Sequence, residues 1–174
     1  MNRIFKFDDG INRQLCVAPM MDWTNRHCRY FHRLLAPSAL LFTEMVTADA
    51  ICYADPHRFF DHHNAEHPLA LQLGGSEPEK LYKAIKLANE YGFSEFNLNV
   101  GCPSDRVQSG RFGACLMAEP EIVQDCVSAM REATDKPVTV KCRIGIDDMD
   151  VVSSLDNFTD KIATSGVSIF YIHA

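Results

Sequence analysis

Asn97-Leu98-Asn99-Val100-Gly101-Cys102-Pro103 is the stretch whose reading decides the fold. With Phe96 ahead of it, the apolar residues Phe96, Leu98 and Val100 alternate with the amides Asn97 and Asn99, which is the period of a buried strand. Two amides on one side of a strand need polar partners opposite them. Gly101 ends the strand, Cys102 sits on the turn, and Pro103 stops the strand from continuing. A thiol at the C-terminal tip of a strand is where a parallel α/β fold puts its chemistry. The same residues also suit a core strand ending in a small, inert cysteine, and the stretch alone does not choose.

Working outward towards the N-terminus, Leu69 to Leu73 reads as a strand ending in Gly74-Gly75. Ser76-Glu77-Pro78-Glu79 has the pattern of a capping box with proline in the first turn. The helix it opens should bury Leu81, Ala84, Ile85 and Ala88 and stop at Gly92. Asp55 to His67 is a polar loop or broken helix. Leu40 to Met45 is a strand, Thr24 is the expected cap of a helix running to about Leu35, and Leu15 to Ala18 is the first strand, ended by Pro19. Towards the C-terminus, a Gly- and Arg-bearing loop runs from Ser104 to Gly113. Pro120 opens a helix with Ile122, Val123, Cys126, Val127 and Met130 on one face. Val138 to Cys142 is a strand, Leu155, Phe158 and Ile162 mark a helix, and Ser168 to His173 is the sixth strand.

Strict alternation of strands and helices means α/β class with a parallel sheet. Polar or sulfur-bearing residues recur at strand tips: Met20 and Met21, Gln72, Asn99 with Cys102, Lys141 with Arg143, and His173. Convergence from many strands favours a closed barrel, whose tips share one mouth, over an open sheet with one switch point. No G-x-G-x-x-G follows the first strand, which removes the usual reason to choose a dinucleotide-binding sheet. A (β/α)8 barrel takes about 250 residues, so the expectation is a TIM barrel truncated after about six strands, residues 1–174 being its N-terminal portion.

The bulk composition narrows the classes. The chain has 174 residues, 47% of them hydrophobic, enough for a real core. A net charge of −6 argues against a general nucleic-acid coat protein, though not against a local basic site. No apolar run approaches the roughly 20 residues of a membrane span, and the first ten residues lack a secretory apolar region. Seven cysteines with no C-x-x-C spacing speak against a disulfide framework or a cysteine zinc site and fit reduced thiols in the cytoplasm. His57, His62, His63 and His67 have no second ligand set nearby, so no metal is expected.

Five motifs are recognisable together. Ala18-Pro19-Met20-Met21-Asp22-Trp23-Thr24, Ala70 to Gly75, Asn97 to Pro103, Val140-Lys141-Cys142-Arg143-Ile144-Gly145 and Ile172-His173-Ala174 resemble, in order, the motifs of the tRNA-dihydrouridine synthases. The form Met-Asp-Trp-Thr-Asn-Arg-His is similar to the A subfamily. The resemblance implies an FMN enzyme, driven by NADPH, that reduces the 5,6 double bond of uridines in the tRNA D-loop, U20 and U20a being the expected pair. It implies a barrel followed by a helical tRNA-gripping domain, neither the end of the barrel nor that domain being present here, and a monomeric full-length form.

On that resemblance Cys102 is the general acid that protonates uracil C5. Lys141 stabilises charge at the flavin carbonyl edge, an otherwise costly lysine in an apolar strand. Gln72 presents an amide to the ring edge, His173 contacts the flavin or its phosphate, and Pro19, Met20 and Met21 pack against the ring. Asn99 is expected to bond the uracil or its ribose. Arg106 and Arg143 are expected on the substrate side, with Arg26, His27, Arg29 and Arg111 as further phosphate partners or simply solvated charges. Two readings compete: another FMN barrel acting on a free pyrimidine, such as a dihydroorotate or dihydropyrimidine dehydrogenase, and an inactive fragment that binds RNA or a partner chain through an open sheet edge.

Overall fold

The computed structural model describes residues 9–104 and 110–174. The strands are β1 (Cys16–Val17), β2 (Leu40–Phe42), β3 (Val46–Thr47), β4 (Leu69–Gly74), β5 (Glu95–Val100), β6 (Val138–Arg143) and β7 (Phe170–His173). The helices are α1 (Arg26–Leu35), α2 (Ala48–Tyr53), α3 (His57–Phe60), α4 (Pro78–Ala88), α5 (Pro120–Glu132) and α6 (Val151–Ala163). All strand pairs among the described residues are parallel, in the order β1-β2-β4-β5-β6-β7, with β3 also on β4. Strand order follows chain order, as it does in a (β/α)8 barrel.

The sheet is curled. Phe42 on β2 and Tyr171 on β7 meet edge to face with ring centroids 5.1 Å apart. Four strand-to-strand steps separate them along the sheet, about 19 Å if it were flat. The contact therefore crosses a concave interior. Tyr171 also donates to Glu95 Oε1 at 3.0 Å, and Arg13 reaches in from before β1 to Glu95 Oε2 at 2.6 Å. The architecture is a parallel sheet curled into part of a TIM barrel, with six strands in barrel order.

Period-two alternation divides the side chains between two compartments. Phe96, Leu98 and Val100 face the helices and join the large core with Leu71, Leu73, Leu81, Ile85, Val123, Val127, Met130, Phe158 and Ile162. Glu95, Asn97 and Asn99 face the interior. There Leu40, Phe42 and Ala70 form only a small apolar floor, with Ile11, Cys16 and Tyr171 against it. The predicted faces of α4 and α5 are buried as expected, and Gly92 ends the first of these after one tighter turn, with φ at +76°.

Local expectations needed correction at three points. Thr24 does not cap α1; Asn25 does, its side chain accepting from the N–H groups of His27 and Cys28. Thr24 instead closes the loop after β1, its hydroxyl bonding both N–H and C=O of Met20 at 3.0 and 3.1 Å. The box at Ser76 to Glu79 is not formed: Glu77 holds the cap position without a side-chain bond, and Pro78 sets the first turn. A capping box occurs at His63 and Glu66 instead. The second strand breaks after Phe42 because the Thr43 hydroxyl accepts the Gln72 N–H at 3.0 Å, taking the place of a backbone carbonyl. Pairing with β4 resumes at Val46, opposite Leu73.

Candidate active site

Each strand tip delivers its side chain by the same rule, two residues per interior layer. Register places Asn99 beside Lys141 and Arg143 beside His173. The result is a cavity of about 220 Å³ over the C-terminal tips, lined by Pro19, Met21, Met45, Gln72, Asn99, Gly101, Cys102, Lys141 and His173. Seven residues singled out from the sequence therefore meet in one place. Met20 does not line it and is exposed. Arg106 lies outside the described residues.

The thiol loop is clamped from two sides. Asn99 Oδ1 accepts from the N–H groups of Gly101 and Cys102 at 3.1 and 3.0 Å. Arg143 Nε donates to the Gly101 carbonyl at 2.7 Å. Asn99 and Arg143 were expected on the substrate side; the structure shows both spending hydrogen bonds on the loop that carries the thiol. Cys102 itself is half-buried, with Ser104 Oγ 3.6 Å from its Sγ.

Lys141 is the cavity's cation. It makes no ion pair or hydrogen bond among the described residues. Burial holds its pKa below the usual lysine value, and the neighbouring Arg143 charge adds to that. Gln72 Nε2 donates to Asn97 Oδ1 at 2.7 Å and its Oε1 accepts from Asn99 Nδ2 at 2.9 Å. That leaves one N–H and one lone pair of the amide for the cavity. Met21 and Met45 supply polarisable apolar walls.

Elsewhere the candidate phosphate partners have local work. Arg29 is 5% exposed and bonded to Glu66 Oε2 at 2.5 Å and to the Thr24 carbonyl at 2.7 Å, so it is structural. Arg26 pairs with Asp61 at 2.6 Å with both side chains in solvent. Arg111 lies 3.7 Å from Glu119. His62 and His67 bond each other at 3.0 Å, and burial keeps the His67 pKa low. No group of three or more metal-ligating side chains occurs among the described residues.

The sequence reading missed Met45, Glu95, Thr139 and Arg13. Glu95 and Thr139 were legible: Glu95-x-Asn97-x-Asn99 and Thr139-x-Lys141-x-Arg143 simply extend the interior alternation. Arg13 sits before any strand, and no period marks it.

A family model described as dihydrouridine synthase matches residues 16–174. A tRNA-dihydrouridine(20/20a) synthase of Vibrio parahaemolyticus is 60% identical over 162 residues, 92% of this chain and 49% of that protein. Proteins of the same name from Xanthomonas axonopodis pv. citri and Shewanella oneidensis are 58% and 56% identical over 92% and 95% of the chain, covering 48% and 49% of their own lengths. The chain spans about half the length of the curated relatives it matches.

Proposed function

The chain belongs to the dihydrouridine synthase family, and from that premise we propose that its cavity is the uridine-reducing site of a tRNA-dihydrouridine(20/20a) synthase with FMN as cofactor and NADPH as reductant. The observation that carries this reading is the convergence of Gln72, Cys102, Lys141 and His173 from separate strands on one cavity.

The residues fit a flavin on physical grounds. A partly buried ammonium without a partner is costly, and an electron-rich carbonyl edge relieves it. Gln72 has a donor and an acceptor to spare for the polar edge of a heterocycle, and His173 stands at the rim for the more polar end of the cofactor. Pro19, Met21 and Met45 provide the apolar wall. When bound, FMN supplies the hydride that saturates the uridine double bond.

The chain's own part in the reaction is positioning and proton delivery. Cys102 holds a proton at Sγ and gives it to C5 of the base. Asn99 and Arg143 fix the loop so that Sγ keeps one position relative to the cavity. A uridine must leave its stack to enter a site this far inside the strand tips. Arg106 and the exposed Arg26 and His27 are assigned to tRNA phosphates. We place the enzyme in the cytoplasm as a monomer in its full-length form.

The test joins residues 1–174 to the C-terminal half of the Vibrio parahaemolyticus relative. Given FMN, NADPH and unmodified tRNA, the product should show the two-hydrogen mass gain at positions 20 and 20a, and Cys102→Ala should lose it. A chimera that holds flavin and accepts electrons from NADPH, yet leaves the tRNA uridines unreduced, overturns the reading. Reoxidation by free pyrimidines alone would point to the competing barrel enzymes.

A further inference from the structure

One unbroken run of side-chain hydrogen bonds climbs the barrel interior from its floor to the thiol loop. Thr139 Oγ1 donates to Glu95 Oε1 at 2.7 Å. Asn97 Nδ2 donates to Thr139 Oγ1 at 2.8 Å. Gln72 Nε2 donates to Asn97 Oδ1 at 2.7 Å, and Asn99 Nδ2 donates to Gln72 Oε1 at 2.9 Å. Asn99 Oδ1 then accepts the N–H groups of Gly101 and Cys102. The run rises from Glu95 to Thr139, crosses one layer through Asn97 to Gln72, which the register sets side by side on β6, β5 and β4, and rises again to Asn99.

Every bond in this run points the same way, and chemistry leaves no second choice. A carboxylate can only accept, so the Thr139 hydroxyl must donate downward and accept from above. Asn97 must therefore turn its amino group down and its carbonyl up, and the same constraint passes through Gln72 to Asn99. Backbone N–H groups can only donate, so the upper end demands the polarity that the lower end imposes. Glu95, Asn97 and Thr139 are 0% exposed and have no solvent partner to spare, while Gln72 and Asn99, 1% and 8% exposed, reach the cavity. Reversing one amide sets donor against donor, and the members are bound to turn together or not at all. Burial pushes the Glu95 pKa up; Thr139 and Arg13, the latter at 2.6 Å on Oε2, pull against that and favour the acceptor-only carboxylate, and the backbone N–H groups at the upper end impose the same polarity on their own.

We propose that Glu95, acting through Thr139 and Asn97, is a positioning group for both Gln72 and the Cys102 loop, from one layer below Gln72 and two below Asn99. The consequence for the reaction rests on the reading given under Proposed function; the orientation relay itself does not.

The test is made on the 174-residue chain by nuclear magnetic resonance, without flavin or tRNA. Couplings across the hydrogen bonds should connect Gln72 Nε2 to the Asn97 side-chain carbonyl carbon, Asn99 Nδ2 to that of Gln72, and the Gly101 and Cys102 nitrogens to that of Asn99. Couplings of opposite sense, or none between folded side chains, overturn the proposal. Thr139→Val removes the hydroxyl, and Thr139→Ser keeps it. Thr139→Val should shift the Asn99 side-chain amide signals and speed exchange of the Gly101 and Cys102 N–H groups about tenfold, while Thr139→Ser leaves both near wild type. A folded Thr139→Val chain whose changes stop at Asn97 also overturns it. If Thr139→Val does not fold, the wild-type couplings still decide. In the chimera described above, Thr139→Val should lower kcat with little change in flavin affinity; failure of that arm alone bears on the catalytic reading and leaves the relay standing.

Discussion

At the scale of single residues, Lys141 costs the folded chain stability, and the function proposed above gives that cost a purpose. Its ammonium lacks a partner among the described residues, and burial depresses its pKa below the usual 10.5. Between the folded value and 10.5 the unfolded chain holds a proton that the folded chain has released, so stability rises with pH through that window and the full cost is felt below it. Lys141→Met should therefore stabilise the ligand-free chain by about 1 kcal/mol near neutral pH, with the gain shrinking as pH climbs towards 10.5. The same change should weaken flavin binding. Denaturant titrations of both chains at several pH values measure the first effect, and a gain that grows with pH would contradict it. The cysteines offer a second residue-scale test. Cys126 and Cys142 are 0% exposed, and burial pushes their pKa values up to about 12 and about 11. Cys102 stands half-exposed at the cavity. Brief treatment of the native chain with iodoacetamide should label Cys102 and spare the other two; peptide mapping that finds Cys126 labelled as fast would contradict the packing described.

At the scale of elements, what the sequence carries is periodicity, and what it hides is contact across elements. Strands and helix faces at Leu81 to Ala88 and Val123 to Met130 were legible because they repeat at 2.0 or 3.6 residues. The caps were less so. Ser76-Glu77-Pro78-Glu79 has the letters of a capping box, but tertiary placement put a box at His63 and Glu66 instead. The break in the second strand depends on one hydroxyl reaching Gln72, a contact 29 positions away in sequence that no local pattern announces. Gly92 is a case where the local signal decided. Its φ is +76° and nothing lies within 4 Å of where a Cβ would stand, so the need for glycine is purely conformational. Gly92→Ala should cost about 1 kcal/mol, and Gly92→Asn less, because asparagine tolerates the left-handed region better. Equal melting temperatures for all three chains would count against this. In the site, the seven converging residues were legible as strand tips, whereas the clamp roles of Asn99 and Arg143 were not, since nothing local tells an amide which N–H it will meet.

At the scale of the whole molecule, the sheet has two end strands among the described residues. β1 and β7 end the strand order, and each is paired along one edge only among the described residues. Helix α1, packed on β2 and the turn at Asn64–Glu66, turns Arg29 and Arg33 inward and apolar residues out: Phe31, Leu34 and Leu35 are 58%, 64% and 68% exposed. Among the residues that line the cavity, Met21, just after β1, and His173, on β7, are exposed. Phosphate in TIM barrels is usually held by loops after the seventh and eighth strands, and six barrel strands do not reach them. Two outcomes are expected of the isolated chain. It should self-associate through the apolar face of α1, and Phe31→Glu with Leu34→Lys should reduce that association in sedimentation velocity while leaving the melting temperature nearly unchanged, because exposed positions contribute little to folding. It should also bind FMN weakly or not at all, whereas the chimera carrying the relative's C-terminal half binds it firmly. Flavin fluorescence titration separates the cases: micromolar or tighter affinity in the isolated chain would mean that Lys141, Gln72 and the methionine walls hold the ring without help from any phosphate site.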